Sequence, residues 1–521
     1  MGLPLIALLV MIAIIAILPP LLLPALSAAK RKPSKRLIFL FPLTRIALNI
    51  CLTDNGNKLC DATILQTGLN KMTLTNYFLP ANPLRLYIYY YLSGLLIQSV
   101  FLFDVVNDGL ANTNVISAPV QVSTTASADP QAHLAYLPGQ PPGFWSVAAA
   151  DTVMARWPDF TKAYFNAWTY VNGYELYGFE MLYRATGDQK YFTYLKRYID
   201  ECVDAEGNFR YVINAKGQTN RPGFNNLDNM MTGNTLVMLY ETTKDDRYRK
   251  AAEKIRRALD NYPRNRDGGF WHNRHMNGQM WIDGIFMGEM FLLRYGKSIG
   301  DSNYCWDEVT RQITLFAKHA ERDHSGLYLH GYFEPGHGGQ VPGWVDPRTG
   351  LSREVWSEGL GWYALVVVET LADLPRAHPQ RAEVEDIFRR LAAGLQRAQD
   401  PHSGRWFQVV DKGDRPDNWT DNSGSAMFTY AIAKGIELGL LDQSVYGPVV
   451  KNGYRGITEN ARINENGLVD IYSACDGLGV QYNYDRYIHF KKSVNAKEAV
   501  AGFLWATTIV EKSKLELQQK K

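Results

Sequence analysis

An internal repeat with an offset of 57 residues constrains the fold of this chain more than any other feature of its sequence. Residues 182–191 read LYRATGDQKY, and residues 239–248 read LYETTKDDRY. In each copy a helix ends at the last threonine, and the aspartate two residues later is a preferred N-cap for a second helix. The repeating unit is therefore a helical hairpin, and such hairpins bury their apolar faces only against neighbouring copies.

Amphipathic segments with the same helical period continue from residue 141 to the end of the chain. They predict twelve helices, at 146–157, 163–186, 190–204, 225–243, 246–261, 279–297, 303–321, 355–374, 382–399, 422–440, 444–459 and 497–513. Some segments, such as 362–371 and 426–433, are apolar on all sides, which is typical of helices shielded by partners. Six inner helices within six outer ones form an all-α (α/α)6 barrel of six helical hairpins. We favour this ring over an open α-solenoid, whose units rarely need loops such as 268–272.

The first 140 residues lack this pattern. We therefore divide the chain into an apolar N-terminal segment with a linker, residues 1–140, and a barrel domain, residues 141–521. Residues 3–29 are uncharged and long enough to cross a bilayer, which takes about 20 apolar residues. Residues 86–103 are a second uncharged stretch. Both stretches are candidate membrane contacts, and no catalytic residue is expected near them.

Three explanations of residues 3–29 stay open. They are a cleaved signal peptide, a signal anchor followed by the basic run at 30–36, or part of an over-extended reading frame that reaches to about residue 110. The first two imply a secreted or membrane-anchored protein, and the third implies a cytoplasmic one. If this part folds outside the cytosol, Cys51 and Cys60 are a candidate disulfide.

Composition and motifs exclude several classes of protein. Hydrophobic residues make up 46% of the chain and charged residues 21%, which excludes a disordered or coiled-coil protein. The formal net charge of +3 gives no electrostatic support for nucleic-acid binding. The sequence contains no phosphate-binding glycine loop and no serine-hydrolase motif. His272 and His275 have no carboxylate nearby in the sequence to complete a zinc site, so we expect no metal and no cofactor.

Four polar sequences fall at the same phase of their hairpins, at the start of predicted inner helices, where side chains point to the barrel mouth. They are residues 226–229, 279–284, 354–362 and 421–425. Helix capping is the alternative explanation for each of them. Asp283 resists that explanation because it lies between Trp281 and Gly284 in an apolar run, where desolvation favours a protonated carboxyl group and suits a general acid. Asp228 supplies a second carboxylate one hairpin earlier.

Six motifs, in order, resemble the unsaturated rhamnogalacturonyl hydrolases, family 105 of the glycoside hydrolases. They are GFWH at 269–272, QMWIDGIFM at 279–287, GLYLHGY at 326–332, the tryptophan–glycine pattern at 356–364, SGSAMF at 423–428 with AKG at 433–435, and GFLW at 502–505. The resemblance runs from about residue 150 to residue 513 and implies the six-hairpin fold. It does not cover the N-terminal 140 residues.

The resemblance implies removal of a 4,5-unsaturated uronic acid from the non-reducing end of lyase-generated oligosaccharides, in the breakdown of pectin, rhamnogalacturonan or related polysaccharides. In such enzymes an aspartic acid protonates C4 of the vinyl ether and its conjugate base helps water add at C5. The resemblance assigns this acid/base role to Asp283, and the orientation of water or sugar to Asp228. It also implies sugar contacts by Tyr170, His272, Trp281, His330, Trp356 and Trp362.

Glu358 departs from the family pattern, which commonly has an arginine at this position. A carboxylate beside a uronate repels it when both groups are desolvated, so the orientation of the sugar or the identity of the aglycone is expected to differ. Either Arg353 or Lys434 supplies the missing positive charge at the substrate site, or Glu358 pairs structurally with one of them.

Two other classes of function stay open. One is another (α/α)6 sugar enzyme such as an epimerase, which needs histidine or paired-aspartate arrangements that the sequence does not show. The other is a non-catalytic, membrane-tethered carbohydrate-binding protein, which has no use for a buried acid such as Asp283. The ultraviolet absorbance of the substrate's conjugated double bond distinguishes them, because only hydration destroys it.

Overall fold

The computed structural model describes residues 136–164 and 167–519, together with the backbone of four strands between residues 35 and 75. The chain divides into two compact units, residues 1–123 and 124–521. In the first unit the strands form one antiparallel sheet in chain order, which the sequence analysis did not predict: β1 (Lys35–Phe41), β2 (Ile46–Leu52), β3 (Asp61–Gln66) and β4 (Met72–Thr75).

The predicted membrane contacts at 3–29 and 86–103 lie outside the described residues, as does Cys60 of the candidate disulfide. Among the residues that are described, no helix is both long enough and apolar enough to cross a bilayer.

The second unit contains two concentric rings of helices. The inner ring consists of α2 (Tyr170–Thr186), α4 (Gly233–Thr243), α6 (Ile282–Ser298), α8 (Ser357–Asp373), α10 (Asn422–Glu437) and α13 (Lys497–Gln519). The outer ring consists of α1 (Trp145–Arg156), α3 (Gln189–Cys202), α5 (Asp246–Ala258), α7 (Ser302–Ala320), α9 (Arg381–Ala398) and α11 (Gln443–Glu459), and the short α12 (Tyr484–Ile488) lies in a loop. Each inner helix packs against the next, and α13 packs against α2, so the ring closes. The predicted (α/α)6 barrel is confirmed.

The sequence repeat corresponds to the tight turn between an inner helix and its outer partner. Helices α2 and α4 end at Thr186 and Thr243, as predicted. The side chains of Asp188 and Asp245 then cap α3 and α5 by accepting hydrogen bonds from backbone N–H groups two residues further on. These turns lie at the end of the barrel opposite the inner-helix N-termini, and the longer loops therefore gather at the other end, which we call the mouth.

The mouth loops carry short antiparallel strand pairs where the sequence predicted only helix or loop. The pairs are β5 (Val212–Ile213) with β6 (Thr219–Asn220), β7 (Gln279–Trp281) with β8 (Gly331–Phe333), β9 (Trp406–Phe407) with β10 (Thr420–Asp421), β11 (Ala461–Ile463) with β12 (Val469–Ile471), and β13 (Ala474–Cys475) with β14 (Lys492–Ser493). The predicted helix at 279–297 is therefore wrong in its first turn, because pairing with β8 supplies hydrogen bonds that local periodicity does not reveal. The predicted helix at 225–243 is divided into a 3₁₀ turn at 227–229 and α4.

The sixth hairpin is assembled from the two ends of the barrel unit, since α1 is the outer partner of α13. Glu511 of α13 is buried, and its carboxylate accepts hydrogen bonds from the backbone N–H groups of Trp145 and Ser146 at 2.9 and 3.0 Å. The Tyr454 hydroxyl donates to it as well, at 2.7 Å. These N–H groups belong to the first turn of α1 and have no partner within that helix. Glu511 of the neighbouring helix α13 therefore caps α1.

We expect Glu511→Ala to lower the free energy of unfolding by about 3 kcal/mol, because it leaves several buried donors without an acceptor. Denaturant unfolding followed by tryptophan fluorescence measures this loss. Glu516→Ala, a partly exposed position on the same helix, is the matched control. Equal stability of the two variants would show that the carboxylate does not hold the ring closed.

We also expect a chain lacking residues 1–135 to remain folded, because the barrel has its own continuous core and closes on itself. Its solubility and melting temperature, compared with those of the full chain, test this expectation. If the truncated chain were insoluble or unfolded without a cooperative transition, residues 1–135 would be required for the fold of the barrel.

Candidate active site

The barrel axis is filled by side chains in layers that follow the helical period. The middle layer is aromatic and consists of Tyr174, Phe286, Trp362 and Trp505. The ring centroids of Tyr174 and Phe286 lie 4.7 and 4.8 Å from that of Trp362. One or two helical turns toward the mouth, on the same four helices, the corresponding positions are polar: Tyr170, Asp283, Glu358 and Glu498. Residues three, four or seven apart share a helix face, so these polar side chains lie on the mouth side of an aromatic floor.

Asp283 is buried at the start of α6 and is held by a histidine. Its Oδ2 lies 3.0 Å from His330 Nε2, and His330 Nδ1 lies 2.8 Å from the Tyr487 hydroxyl. The backbone N–H of Gln481 donates to the same hydroxyl oxygen at 3.1 Å. A chain of hydrogen bonds thus runs from the protein backbone to the predicted catalytic acid.

This chain of hydrogen bonds indicates how the protons are arranged. The Tyr487 oxygen accepts from the Gln481 N–H group, and we infer that its own hydroxyl donates to His330 Nδ1 and that the ring proton lies on Nε2. In that arrangement the Nε2–H group donates to Asp283 Oδ2. His330 therefore contacts the Asp283 carboxyl group directly and orients it.

Asp228 faces Asp283 from the 3₁₀ turn before α4. The Asn226 amide donates to its Oδ2 at 2.9 Å, and His272 Nε2 lies 3.5 Å from its Oδ1. Burial raises the pKa of Asp228, and the neighbouring charge of Asp283 adds to the rise, whereas His272 and Lys497 oppose it. The two predicted catalytic aspartates are therefore brought together, in different hydrogen-bonding surroundings.

The predicted sugar-contacting aromatics line two sides of this aspartate pair. His272 stacks on Trp281, with ring centroids 4.6 Å apart and planes 11° apart, and Trp356 lies 4.5 Å from His330. The Trp356 indole nitrogen and His272 Nδ1 are buried without a hydrogen-bond partner among the described residues. Trp362 instead lies beneath the others, in the aromatic floor.

Glu358 lies in a separate corner of the mouth, beside residues that the sequence analysis missed. Burial, reinforced by the charges of Glu498 and Asp421, raises its pKa well above the ordinary range, and Lys497 opposes the rise. The Glu498 carboxylate accepts hydrogen bonds from the Tyr170 hydroxyl and from Lys497. Lys497 is thus the cation of this corner.

Neither cation proposed from the sequence reaches Glu358. Lys434 is 12 residues beyond the start of α10, about 18 Å further along the helix, where it lies 3.6 Å from Glu437. The Arg353 guanidinium is exposed and donates to the Tyr482 carbonyl at 2.6 Å. The sequence could have indicated Lys497, because this residue begins the sixth inner helix at the same position as the other mouth motifs in their hairpins. Tyr487 could not be predicted in this way, since it lies in a loop without a recognisable sequence pattern.

Within the barrel residues that the structure describes, no group of three or more histidine, cysteine, aspartate or glutamate side chains lies together as metal ligands would.

A closed (α/α)6 barrel with paired aspartates among aromatic rings at its mouth defines a six-hairpin glycoside hydrolase. The family model of Glycosyl Hydrolase Family 88 matches residues 145–514, and the chain belongs to this family. A glycoside hydrolase of family 105 from Clostridium acetobutylicum has a similar solved structure, with 28% sequence identity and a TM-score of 0.64 over 70% of this chain and 99% of that one. The resemblance to family 105 is confirmed.

Two curated relatives differ in how much of their length is matched. The unsaturated rhamnogalacturonyl hydrolase YesR of Bacillus subtilis is 26% identical over 327 residues, which cover 62% of this chain and 83% of that protein. The 24.9 kDa protein in the picA locus of Rhizobium radiobacter is 35% identical over 155 residues, 30% of this chain. The chain spans 63% of the length of the latter.

We expect the His330 ring in Tyr487→Phe to adopt both neutral tautomers, because Nδ1 loses the hydroxyl donor that favours a proton on Nε2. Proton-detected ¹⁵N spectra of histidine-labelled protein, assigned with a His330→Gln variant, should show one Nε2-protonated ring in the wild type and a mixture of tautomers in the variant. Tyr484→Phe on the same short helix removes a hydrogen bond to Asp417 instead and is the matched control. An unchanged His330 signal in Tyr487→Phe would refute the assigned proton positions.

Proposed function

We propose that this chain removes a 4,5-unsaturated uronic acid from the non-reducing end of oligosaccharides produced by a polysaccharide lyase. The observation that carries the proposal is the buried Asp283 carboxyl group at the mouth end of α6, which has one oxygen held by His330. Family membership and the likeness to a family 105 structure support the same reaction.

The reaction begins with protonation of the vinyl ether. Asp283 donates a proton from Oδ1 to C4, and the positive charge that develops at C5 is shared with the ring oxygen. As Asp283 becomes a carboxylate, the His330 Nε2–H group stabilises the new charge without moving. The positioning of His330 by Tyr487 makes this donor available before the proton leaves.

Water then adds to C5. The Asp283 carboxylate takes a proton from the attacking water, so the residue is restored as an acid and one water is consumed. Asp228 accepts a hydrogen bond from that water or from a sugar hydroxyl, which orients the reactants. The hemiketal at C5 opens at the ring oxygen, and the hemiacetal formed at C1 releases the aglycone as an alcohol.

The aromatic side chains bind the sugar rather than take part in proton transfer. The stacked pair of His272 and Trp281 offers a flat apolar face at one side of Asp283, and Trp356 offers an indole N–H at the other. Tyr170 closes a third side, next to Glu498. This enclosure excludes bulk water and strengthens the electrostatic effects of the aspartates.

We expect Asp283→Asn to lower kcat by about 10²–10⁴-fold while the fold and the sugar affinity persist, because an amide neither donates nor recovers the proton. Loss of the ultraviolet absorbance of unsaturated galacturonyl-rhamnose measures turnover. Asp373→Asn at the opposite end of α8, where the carboxylate pairs with Lys297, is the control and should retain full activity.

Near-normal turnover by Asp283→Asn would overturn the assignment of the acid. An absorbance that the unmodified chain leaves unchanged would favour an epimerase or a binding protein instead.

A further inference from the structure

Glu358 lies one helical turn closer to the mouth than Trp362, and one of its two carboxyl oxygens has no hydrogen-bond partner among the described residues. The residue is 1% exposed, and its Oε2 makes no hydrogen bond to any described residue. The amide of Asn422, at the start of the neighbouring α10, is also buried without partners. Buried polar atoms without hydrogen bonds are costly, and a ligand that bonds to them removes the cost. This corner is therefore arranged to contact the substrate.

The titratable groups around Glu358 come from four elements. They are Glu498 and Lys497 of α13, Tyr170 and Tyr174 of α2, Asp421 at the end of β10, and Cys475 of β13. Burial raises the pKa of both tyrosines and of the thiol, which therefore stay neutral. Burial raises the pKa of Asp421, and the hydrogen bonds that it accepts from the backbone N–H groups of Gly424 and Cys475, at 2.7 and 2.9 Å, oppose this rise and favour its charged form.

Lys497 cannot neutralise every carboxylate in this corner. Its ammonium group is paired with Glu498, whereas Glu358 has no ion-pair partner among the described residues. Burial next to the charges of Glu498 and Asp421 raises the pKa of Glu358, and a carboxyl group that is buried without an ion-pair partner takes up a proton rather than carry a charge. A neutral carboxyl group has an O–H donor, and the lysine ammonium has three N–H donors, of which Glu498 engages only part.

We propose that Glu358 and Lys497 together bind the carboxylate of the uronic acid, Glu358 as an uncharged O–H donor and Lys497 as the cation. The inference rests on the proposed function and extends it to the recognition of the sugar's acid group. Hydrogen bonds to an ionised acceptor are shorter and stronger than neutral ones. The charge of Lys497 lowers the pKa of both Asp228 and Glu358, so its ammonium group lies near both side chains. A sugar carboxylate bound between Asp228 and Glu358 would therefore lie close to this ammonium group.

Affinity for the acid should therefore fall as pH rises. Deprotonation of Glu358 removes its donor and leaves a carboxylate facing the carboxylate of the sugar. An arginine at position 358 would bind the acid group at both neutral and alkaline pH, because the guanidinium group keeps its positive charge at all these pH values.

The test uses the full chain carrying Asp283→Asn, so that the ligand is not consumed. Calorimetric Kd values are measured at neutral and alkaline pH for unsaturated galacturonyl-rhamnose and for its methyl ester. With Glu358 present, we expect the Kd of the acid to rise about ten- to hundredfold at alkaline pH, and that of the ester to rise much less. Adding Glu358→Gln replaces the O–H donor by an amide N–H donor that does not titrate, so binding of the acid should persist at neutral pH and its Kd should become independent of pH.

Two further variants make the test specific. Lys497→Met should weaken binding of the acid more than binding of the ester. Glu175→Gln is the matched control, because Glu175 is a buried carboxyl group on α2 whose pKa burial raises to about 8, but which accepts a hydrogen bond from Tyr164. It should leave the pH dependence as it is, and melting curves verify that each variant is folded.

The outcomes separate the two claims. A Kd that still rises with pH in Glu358→Gln overturns the role of Glu358, and equal losses for acid and ester in Lys497→Met overturn that of Lys497. Both results are compatible with turnover of the disaccharide by the unmodified chain. If that chain neither binds nor consumes the disaccharide, the proposed function fails and this inference fails with it.

Discussion

The aromatic rings packed across the barrel axis are the constraint on which the candidate site depends. Because Tyr174, Phe286 and Trp362 fill the axis at one level, the polar residues a turn nearer the mouth are held on the mouth side of these rings. The inner helices approach closely enough for this packing only where a side chain is missing. A Cβ on Gly424, for example, would lie 2.1 Å from the Ser357 hydroxyl oxygen.

The mouth contains several carboxyl groups within a small, largely buried space, and their hydrogen-bond donors differentiate them. Asp283 receives one N–H from His330, Asp421 receives two backbone N–H groups, and Glu498 receives a phenol and an ammonium. Glu358 receives no comparable set. Among these groups, burial raises the pKa of Asp421, and it raises that of Glu358 well above the ordinary range.

Most of the fold could be predicted from the sequence, because it rests on local signals. The turns after Thr186 and Thr243 and the caps at Asp188 and Asp245 depend on residues adjacent in the chain, as does the phase that places Asp283 at the mouth. The strand at 279–281 and the hydrogen bond from Tyr487 to His330 depend on segments far apart in the chain, which no local pattern encodes. The prediction that Lys434 lies at the substrate site rested on its charge alone. Lys434 is in the last turn of α10 and therefore lies at the end of the barrel opposite the mouth.

The capping of α1 by Glu511 has a consequence for how the protein is made. During synthesis the first outer helix leaves the ribosome hundreds of residues before the helix that supplies its capping carboxylate. The five intervening hairpins can stack in order, but the seam between the ends, and with it the corner formed by Lys497 and Glu498, is completed only after α13 has left the ribosome. Joining the two ends of the barrel by a linker and opening the chain at another turn would give a circular permutant in which this seam forms early.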